Sequence, residues 1–438
     1  MTADQAPVPA EAAEEAGQDQ GEEDAALPVL EPRLGIPPVT DTPEALARAL
    51  EALSAAEGPV AVDAERASGY RYGQRAYLLQ FNRQGAGTWL IDPIALPDLS
   101  GLQAALGTEE WVLHAASQDL PCLRELGLRP GSLFDTEVAG RLLGRERVGL
   151  GPLVESELHV RLEKGHGSAD WSTRPLPQAW LRYAALDVEV LLDLRDRLAG
   201  DLSADGKETW AREEFAALLA APPAPPRTDP WRRTSGIHAV RGRRGLAAVR
   251  ELWTERDALA QQRDTSPGRV LPDAAIVAAA RALPASREAL EALPEFQRPA
   301  ARRAMSRWWA ALQRAEAIPD SDLPPMTLPG DGPPPPRLWA DRDPDAAARL
   351  AAARGYLAAL SEQVGTPVEN LAPPDAVRRV LWQPPADASP HSVELRDLIL
   401  CLPSVPFRPV DGRQSGTRNR LSRLCVNPAG TRRLASCQ

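Results

Sequence analysis

The chain has 438 residues and a formal net charge of -10, with 43% hydrophobic and 25% charged residues. That length suits two to four domains, and the balance is ordinary for a globular protein. No apolar run reaches the roughly 18 residues that a membrane span requires. Four cysteines without CxxC spacing exclude a zinc ribbon and speak against a disulfide framework. An acidic N-terminus without an apolar stretch leads us to expect no signal peptide and a cytoplasmic location.

The charge is unevenly spread. Residues 1–28 carry eight acids and no base, residues 231–312 carry 15 Arg against eight acids, and residues 413–438 carry six Arg and no acid. Only Lys164 and Lys207 are lysines among the 50 basic residues, so Arg abundance reflects codon usage before it reflects a nucleic-acid partner.

In chain order, residues 1–38 read as a disordered acidic tail, with almost no large apolar residue before Leu27. Thr42 and Pro43 open a helix in which Leu46, Leu50 and Leu53 recur at helical spacing. Residues 59–65, 70–80, 88–92 and 111–114 read as strands, and 120–126 and 136–143 as helices. One long amphipathic helix is expected over 178–198. Strands followed by helices make 39–220 an α/β domain with a mixed sheet. Residues 221–230 are a Pro-rich linker, 231–315 a helical domain, 316–337 a second Pro-rich linker with eight prolines from Pro319 on, 338–412 a further helical domain, and 413–438 a disordered basic tail.

Three short stretches carry chemistry. Asp63 and Glu65 are i and i+2 on a strand, hence on one face, where two carboxylates repel unless a cation lies between them. Mg²⁺ and Mn²⁺ favour such oxygen ligands. Tyr183 and Asp187 are four apart on a helix and share a face. Asp119 follows the fourth strand at a strand-to-helix turn, where it can serve either as a helix N-terminal acid or as a ligand. His114, just before it, reads as a packed, hydrogen-bonded histidine. Arg174 could meet a substrate phosphate or form a structural ion pair, and Lys164, His166 and Asp170 lie in a Gly-flanked loop that could approach substrate.

Four acids and a tyrosine four residues before the last of them resemble the tyrosine-bearing branch of the DEDD exonuclease superfamily, and within it the ribonuclease D family. Phe134-Asp135-Thr136, Asp170-Trp171-Ser172-Thr173-Arg174-Pro175-Leu176 and Tyr183-Ala-Ala-Leu-Asp187 look like the same family, across about 40–220. The resemblance implies a ribonuclease-H-like fold and metal-dependent 3′-5′ removal of nucleotides from RNA, with transfer-RNA 3′ ends as the suggested substrate. Two divalent ions, Mg²⁺ or Mn²⁺, are then expected on Asp63, Glu65, Asp119 and Asp187. Asp63 would bridge, Glu65 and Asp187 would complete one site, Asp119 would complete the other, and Tyr183 would orient the attacking water.

The stretch Leu252-Trp253-Thr254-Glu255-Arg256-Asp257, with Asp264-Thr-Ser-Pro267 and Leu271-Pro-Asp273, resembles the HRDC domain. Its basic excess fits a nucleic-acid surface, and 338–412 is read as a second HRDC-like domain. The expected partner is a single-stranded RNA 3′ end, with no membrane and no obligate protein partner. The competing readings are a catalytically silent nucleic-acid-binding scaffold, which a missing acid would mark, and a single-stranded-DNA exonuclease. No GxxxxGK[ST] loop is present, so ATP-driven unwinding is not expected.

Overall fold

A computed structural model of the protein describes residues 27–384 apart from positions 97, 164, 224, 226 and 329–331. The expected basic tail at 413–438, the end of the 338–412 segment and the first 26 residues lie outside the described residues.

The first unit opens with β1 (Val39–Thr40) and α1 (Pro43–Ala55), the latter capped by Thr42, whose Oγ1 accepts from the Ala45 amide. Then come β2 (Val60–Arg66), β3 (Ala76–Arg83), β4 (Gly87–Ile91), α2 (Ser100–Leu106), β5 (Glu110–Leu113), α3 (Leu120–Glu125), β6 (Ser132–Asp135), α4 (Thr136–Leu142) and α5 (Leu150–Leu158). Helices α6 (Gln178–Glu189), α7 (Leu191–Ala204) and α8 (Glu208–Ala220) complete it. The six strands form one mixed sheet in the order β1-β4-β3-β2-β5-β6. Strands β2, β3 and β4 are antiparallel, and β5 and β6 run parallel to β2. This is the mixed α/β sheet flanked by helices that the sequence leads one to expect.

Alternation divides the sheet. Val62, Ala64, Leu79, Phe81 and Ile91 face the main core with Leu46, Leu53 and Leu102. Leu78 and Leu90 face the other way, beneath Trp171, Leu181 and Ala184. Helix α6 therefore lies across the face that carries Asp63 and Glu65.

Four local readings change. The strand expected from residue 70 begins only at Ala76, because 67–75 is a loop whose two tyrosines pack elsewhere. Strand β6 is four residues long, too short to show periodicity. The long helix over 178–198 is two helices meeting at Val190, α6 on the sheet and α7 against α4 and α5. Within the tail expected over 1–38, the described residues from 28 on are held in place. Leu30 N donates to Arg161 O at 2.9 Å, Arg161 N donates to Pro28 O at 2.9 Å, and Arg33 N donates to Glu189 at 3.0 Å. Backbone pairing holds this stretch, which its sparse apolar content does not foretell.

The second unit is helical: α9 (Gly242–Gln262), α10 (Pro267–Val270), α11 (Asp273–Ala282), α12 (Arg287–Glu291), α13 (Pro299–Arg302) and α14 (Met305–Ala317). Trp231, Leu252, Leu259, Ile276, Phe296 and Trp308 are buried at its centre, while Trp253 is only half-buried. Several of its arginines are engaged within the unit. Arg256 is buried and pairs with Asp273 at 2.6 Å, and Arg314 bridges to Glu251 and Glu255.

The third unit, α15 (Trp339–Arg342), α16 (Pro344–Val364), α17 (Val368–Leu371) and α18 (Pro374–Trp382), closes around Trp339, Leu350, Leu357 and Leu381. It docks on the first unit. Thr366 Oγ1 donates to Leu142 O at 2.6 Å, and a Cβ on Gly144 would meet Gly365 O at 2.2 Å, so only glycine admits that approach. Among the described residues no helix is long and apolar enough to cross a membrane.

Candidate active site

The site forms where the sheet parts. Strand β2 pairs with β5 only at Val60–Trp111 and Ala61–Val112, so the two strands diverge beyond that point. Asp63 and Glu65 project from the carboxyl half of β2 into the resulting crevice, the usual place for a ligand in a sheet with parallel strands. After β5 the chain turns sharply through Ala115, at φ 55°, into a single 3-10 turn over Ala116–Gln118 that delivers Asp119. Helix α6 crosses above and contributes Tyr183 and Asp187, one turn apart on the same face.

A cavity of about 190 Å³ is lined by Asp63, Glu65, Asp119, Tyr183 and Asp187 together, with Arg66 at its rim. All five residues singled out in the sequence therefore meet in one place. Carboxylate oxygens of Asp63, Glu65 and Asp187 lie within 4.8 Å of one another, a spacing that can hold a divalent cation. Asp119 stands outside that trio, with Oδ1 3.6 Å from Arg66 Nη2.

Electrostatics explains why such a cluster calls for a cation. Burial raises the pKa of Asp63 above its ordinary value. Glu65 is held well above the usual carboxylate range, first by burial and then by Asp63, Asp187 and Asp119. Asp187 is raised well above it by burial and by Asp63, which a hydrogen bond with Tyr183 partly offsets. Asp119 is pushed up to about 8, by burial and then by Asp63. The Tyr183 phenol is likewise held far above its ordinary value by burial and the neighbouring Asp187 and Glu65, so it keeps its proton and acts as a donor. Concentrated, desolvated negative charge with one arginine at the edge fits a divalent metal.

The other candidates sort differently. His114 Nδ1 lies 2.9 Å from Thr136 Oγ1, and burial lowers its pKa to about 4, so it is a packed neutral histidine. Arg174 is structural. It forks onto Asp92 at 2.6 and 2.9 Å and donates to the carbonyls of Tyr77, Trp171 and Thr173. Asp170 is spent within its own turn, accepting from Ser172. His166 stands edge-on to the Tyr183 ring, centroids 5.7 Å apart, and its carbonyl accepts from the buried Trp171 indole. These two contacts back the tyrosine from the side of the loop. Lys164 lies outside the described residues.

Two residues were given no role by the sequence reading, although Asp135 lies in one of the family-like stretches. Arg66 is the cation at the rim. Asp135 is buried and accepts four backbone N–H groups, those of Ala115, Ala116, Glu137 and Val138. It caps α4 and at the same time fixes the turn that aims Asp119. An Asp directly before a helix is a recognisable cap signal, but its second role depends on β5 and β6 lying side by side.

The second unit reaches this region. Loop 67–75, which directly follows Arg66, is clasped by residues 257–269. Ser266 N donates to Tyr70 O and Ser266 Oγ to Gly69 O, both at 2.9 Å, Arg269 Nε donates to Gly69 O at 3.0 Å, and Tyr72 Oη donates to Asp257 at 3.0 Å.

A sheet of this topology with acids gathered at the β2–β5 crevice fits a 3′-5′ exonuclease domain. A family model described as 3′-5′ exonuclease matches residues 38–203, the HRDC domain matches 245–312, and a 3′ to 5′ exonuclease C-terminal domain matches 332–398. The last match falls on the segment read from sequence as a second HRDC-like domain. Ribonuclease D of Acidiphilium cryptum is 34% identical over 66% of this chain and 74% of that one. Ribonuclease D of Granulibacter bethesdensis is 35% identical over 49% of this chain and 54% of that one, so the chain spans about half the length of that relative. The chain belongs to the ribonuclease D family. Among solved structures, a protein from Bifidobacterium adolescentis is 36% identical with a TM-score of 0.78, covering 85% of this chain and 94% of that one. Escherichia coli RNase D, described as an exoribonuclease involved in structured RNA processing, is 28% identical with a TM-score of 0.59, covering 78% of this chain and 89% of that one.

Proposed function

We propose that this protein is a divalent-metal-dependent 3′-5′ exoribonuclease that removes nucleotides from the 3′ ends of RNA, with Asp63, Glu65, Asp119, Tyr183 and Asp187 as its catalytic set. The observation that carries the proposal is the meeting of four acids and a protonated tyrosine in a single cavity at the divergence of β2 and β5. Asp63, Glu65, Asp119 and Asp187 would hold two Mg²⁺ or Mn²⁺ ions, with Asp63 shared between them. When bound, such ions neutralise the phosphoryl oxygens, lower the pKa of water and stabilise the departing 3′ oxygen.

The chain's own residues do the rest. Tyr183 donates from its hydroxyl and, braced by His166 and Trp171, fixes the line along which water meets phosphorus. Arg66 is placed to meet a substrate phosphate at the rim. The bond between phosphorus and the 3′ oxygen breaks, releasing a nucleoside 5′-monophosphate and a shortened RNA with a free 3′ hydroxyl. Support for a structured RNA comes from the description of the Escherichia coli relative, and a transfer-RNA 3′ end is what the family resemblance suggests within that class. The HRDC domain, clasped beside the site, would supply further phosphate contacts.

The test is a time course on a 3′-tailed RNA labelled separately at each end. Stepwise shortening of the 5′-labelled strand, mononucleotide release from the 3′-labelled one, and loss of both with chelator or with Asp63→Asn are expected. Internal fragments, or full activity of Asp63→Asn, would overturn the proposal. A matched single-stranded DNA tests the DNA reading.

A further inference from the structure

Gln80 lies midway along β3 and exposes none of its surface. Neither its Oε1 nor its Nε2 has a hydrogen-bond partner among the described residues. A buried, unsatisfied amide is costly, and an aliphatic side chain of similar size would relieve that cost. The neighbouring β3 residues Leu78, Leu79 and Phe81 are apolar and fully buried, so the strand has no general need of a polar group.

The register says what lies beside it. Gln80 is directly opposite Asp63 on β2 and directly opposite Leu90 on β4. Directly opposed residues share a face of the sheet, with Cβ atoms about 4.5–5.5 Å apart. Gln80 therefore stands on the same face as Asp63 and Glu65, under α6. A glutamine, with three side-chain rotors, spans that distance to a carboxylate.

We propose that Gln80 is a positioning residue for Asp63: its Nε2, which makes no hydrogen bond among the described residues, turns to donate to an Asp63 carboxylate oxygen when the cation site is filled. The inference rests on the reading of Asp63 as a cation ligand. Partners behind a metal-ligating group fix its orientation, and their loss costs roughly 10–100-fold in metal affinity or activity.

The test uses the full chain with Gln80→Met, which keeps length and volume and removes the donor. In chelator the variant melts at or above the wild-type temperature, because the unsatisfied amide is gone. Mn²⁺ binding, followed by the electron-spin-resonance signal of free Mn²⁺, weakens about 10–100-fold, and kcat falls while KM for RNA holds. A folded variant with an unchanged Mn²⁺ isotherm overturns the proposal. Independently of any variant, a structure of the unaltered protein with Mn²⁺ should place Gln80 Nε2 about 2.7–3.2 Å from an Asp63 oxygen. An amide bonded elsewhere overturns it equally. If Asp63→Asn binds Mn²⁺ as the wild type does, the reading of the site itself fails. If Asp63→Asn loses Mn²⁺ and Gln80→Met keeps it, only the role of Gln80 fails.

Discussion

Arg66 Nη2 stands 3.6 Å from Asp119 Oδ1, joining the end of the strand that carries Asp63 and Glu65 to the turn that follows β5. Arg66 is the one positively charged residue among the described residues lining the cavity, since His114 is held neutral. One guanidinium cannot offset four carboxyls. The cluster therefore keeps protons, or takes up cations, according to pH.

That balance gives the first prediction. Asp119 has an ordinary pKa of 3.8 and is raised to about 8 in the fold. Between those values the native state binds more protons than the unfolded chain, so stability falls as pH rises through the window. In chelator, the melting temperature should drop from about pH 5 to pH 8.5, on the linkage just given. Saturating Mn²⁺ should flatten the decline, because binding to the native state alone stabilises it. Cation uptake near pH 7 should release protons into a weakly buffered solution. A pH-independent melting temperature in chelator would contradict the electrostatic picture.

Tyr183→Phe keeps the ring against His166 and Trp171 and deletes only the oxygen. The hydroxyl is a hydrogen-bond partner of Asp187. We expect turnover to fall by roughly 10²–10⁴, the range for a single positioned acid–base group, with the melting temperature almost unmoved. Steady-state kinetics and calorimetry on one preparation separate this from simple loss of packing, which would lower stability and leave turnover per folded molecule intact.

Asp135→Asn tests the turn that aims Asp119. Three amides reach Oδ1, and the Ala116 amide reaches Oδ2 at 2.8 Å. An amide group can satisfy only one of those two sides and sets N–H against N–H on the other. A cost of about 1–3 kcal/mol is expected for the buried donor left unpaired, read by urea denaturation, together with reduced turnover. An unchanged midpoint would show that the turn holds without it.

The HRDC clasp makes the fourth prediction. The sequence suggests a separate body joined by a Pro-rich linker, but the structure places residues 257–269 directly on loop 67–75. Tyr72→Phe combined with Ser266→Ala removes two hydrogen bonds to or from that loop without altering the acids. Amide exchange over 67–75 should quicken several-fold, and kcat/KM on RNA should fall a few-fold. Unaltered exchange would mean that the loop is ordered by its own residues.

Much of the chemistry was legible along the chain, because its spacing is local. Asp63 with Glu65 follows from the two-residue period of a strand, and Tyr183 with Asp187 from the turn of a helix. The order of strands and helices suffices for a mixed α/β sheet. What only the tertiary structure decided is whatever depends on which strands become neighbours. The divergence of β5 from β2 opens the crevice, the proximity of β5 and β6 lets Asp135 hold the turn before Asp119, and the register of β3 against β2 sets Gln80 opposite Asp63. It also decided between equal alternatives at Arg174, committing it to Asp92, and gave His114 its partner in Thr136. No pattern within one segment encodes these contacts. They join residues up to 82 positions apart, as Arg174 and Asp92 are, and they arise only when buried polar groups must find partners inside a packed core.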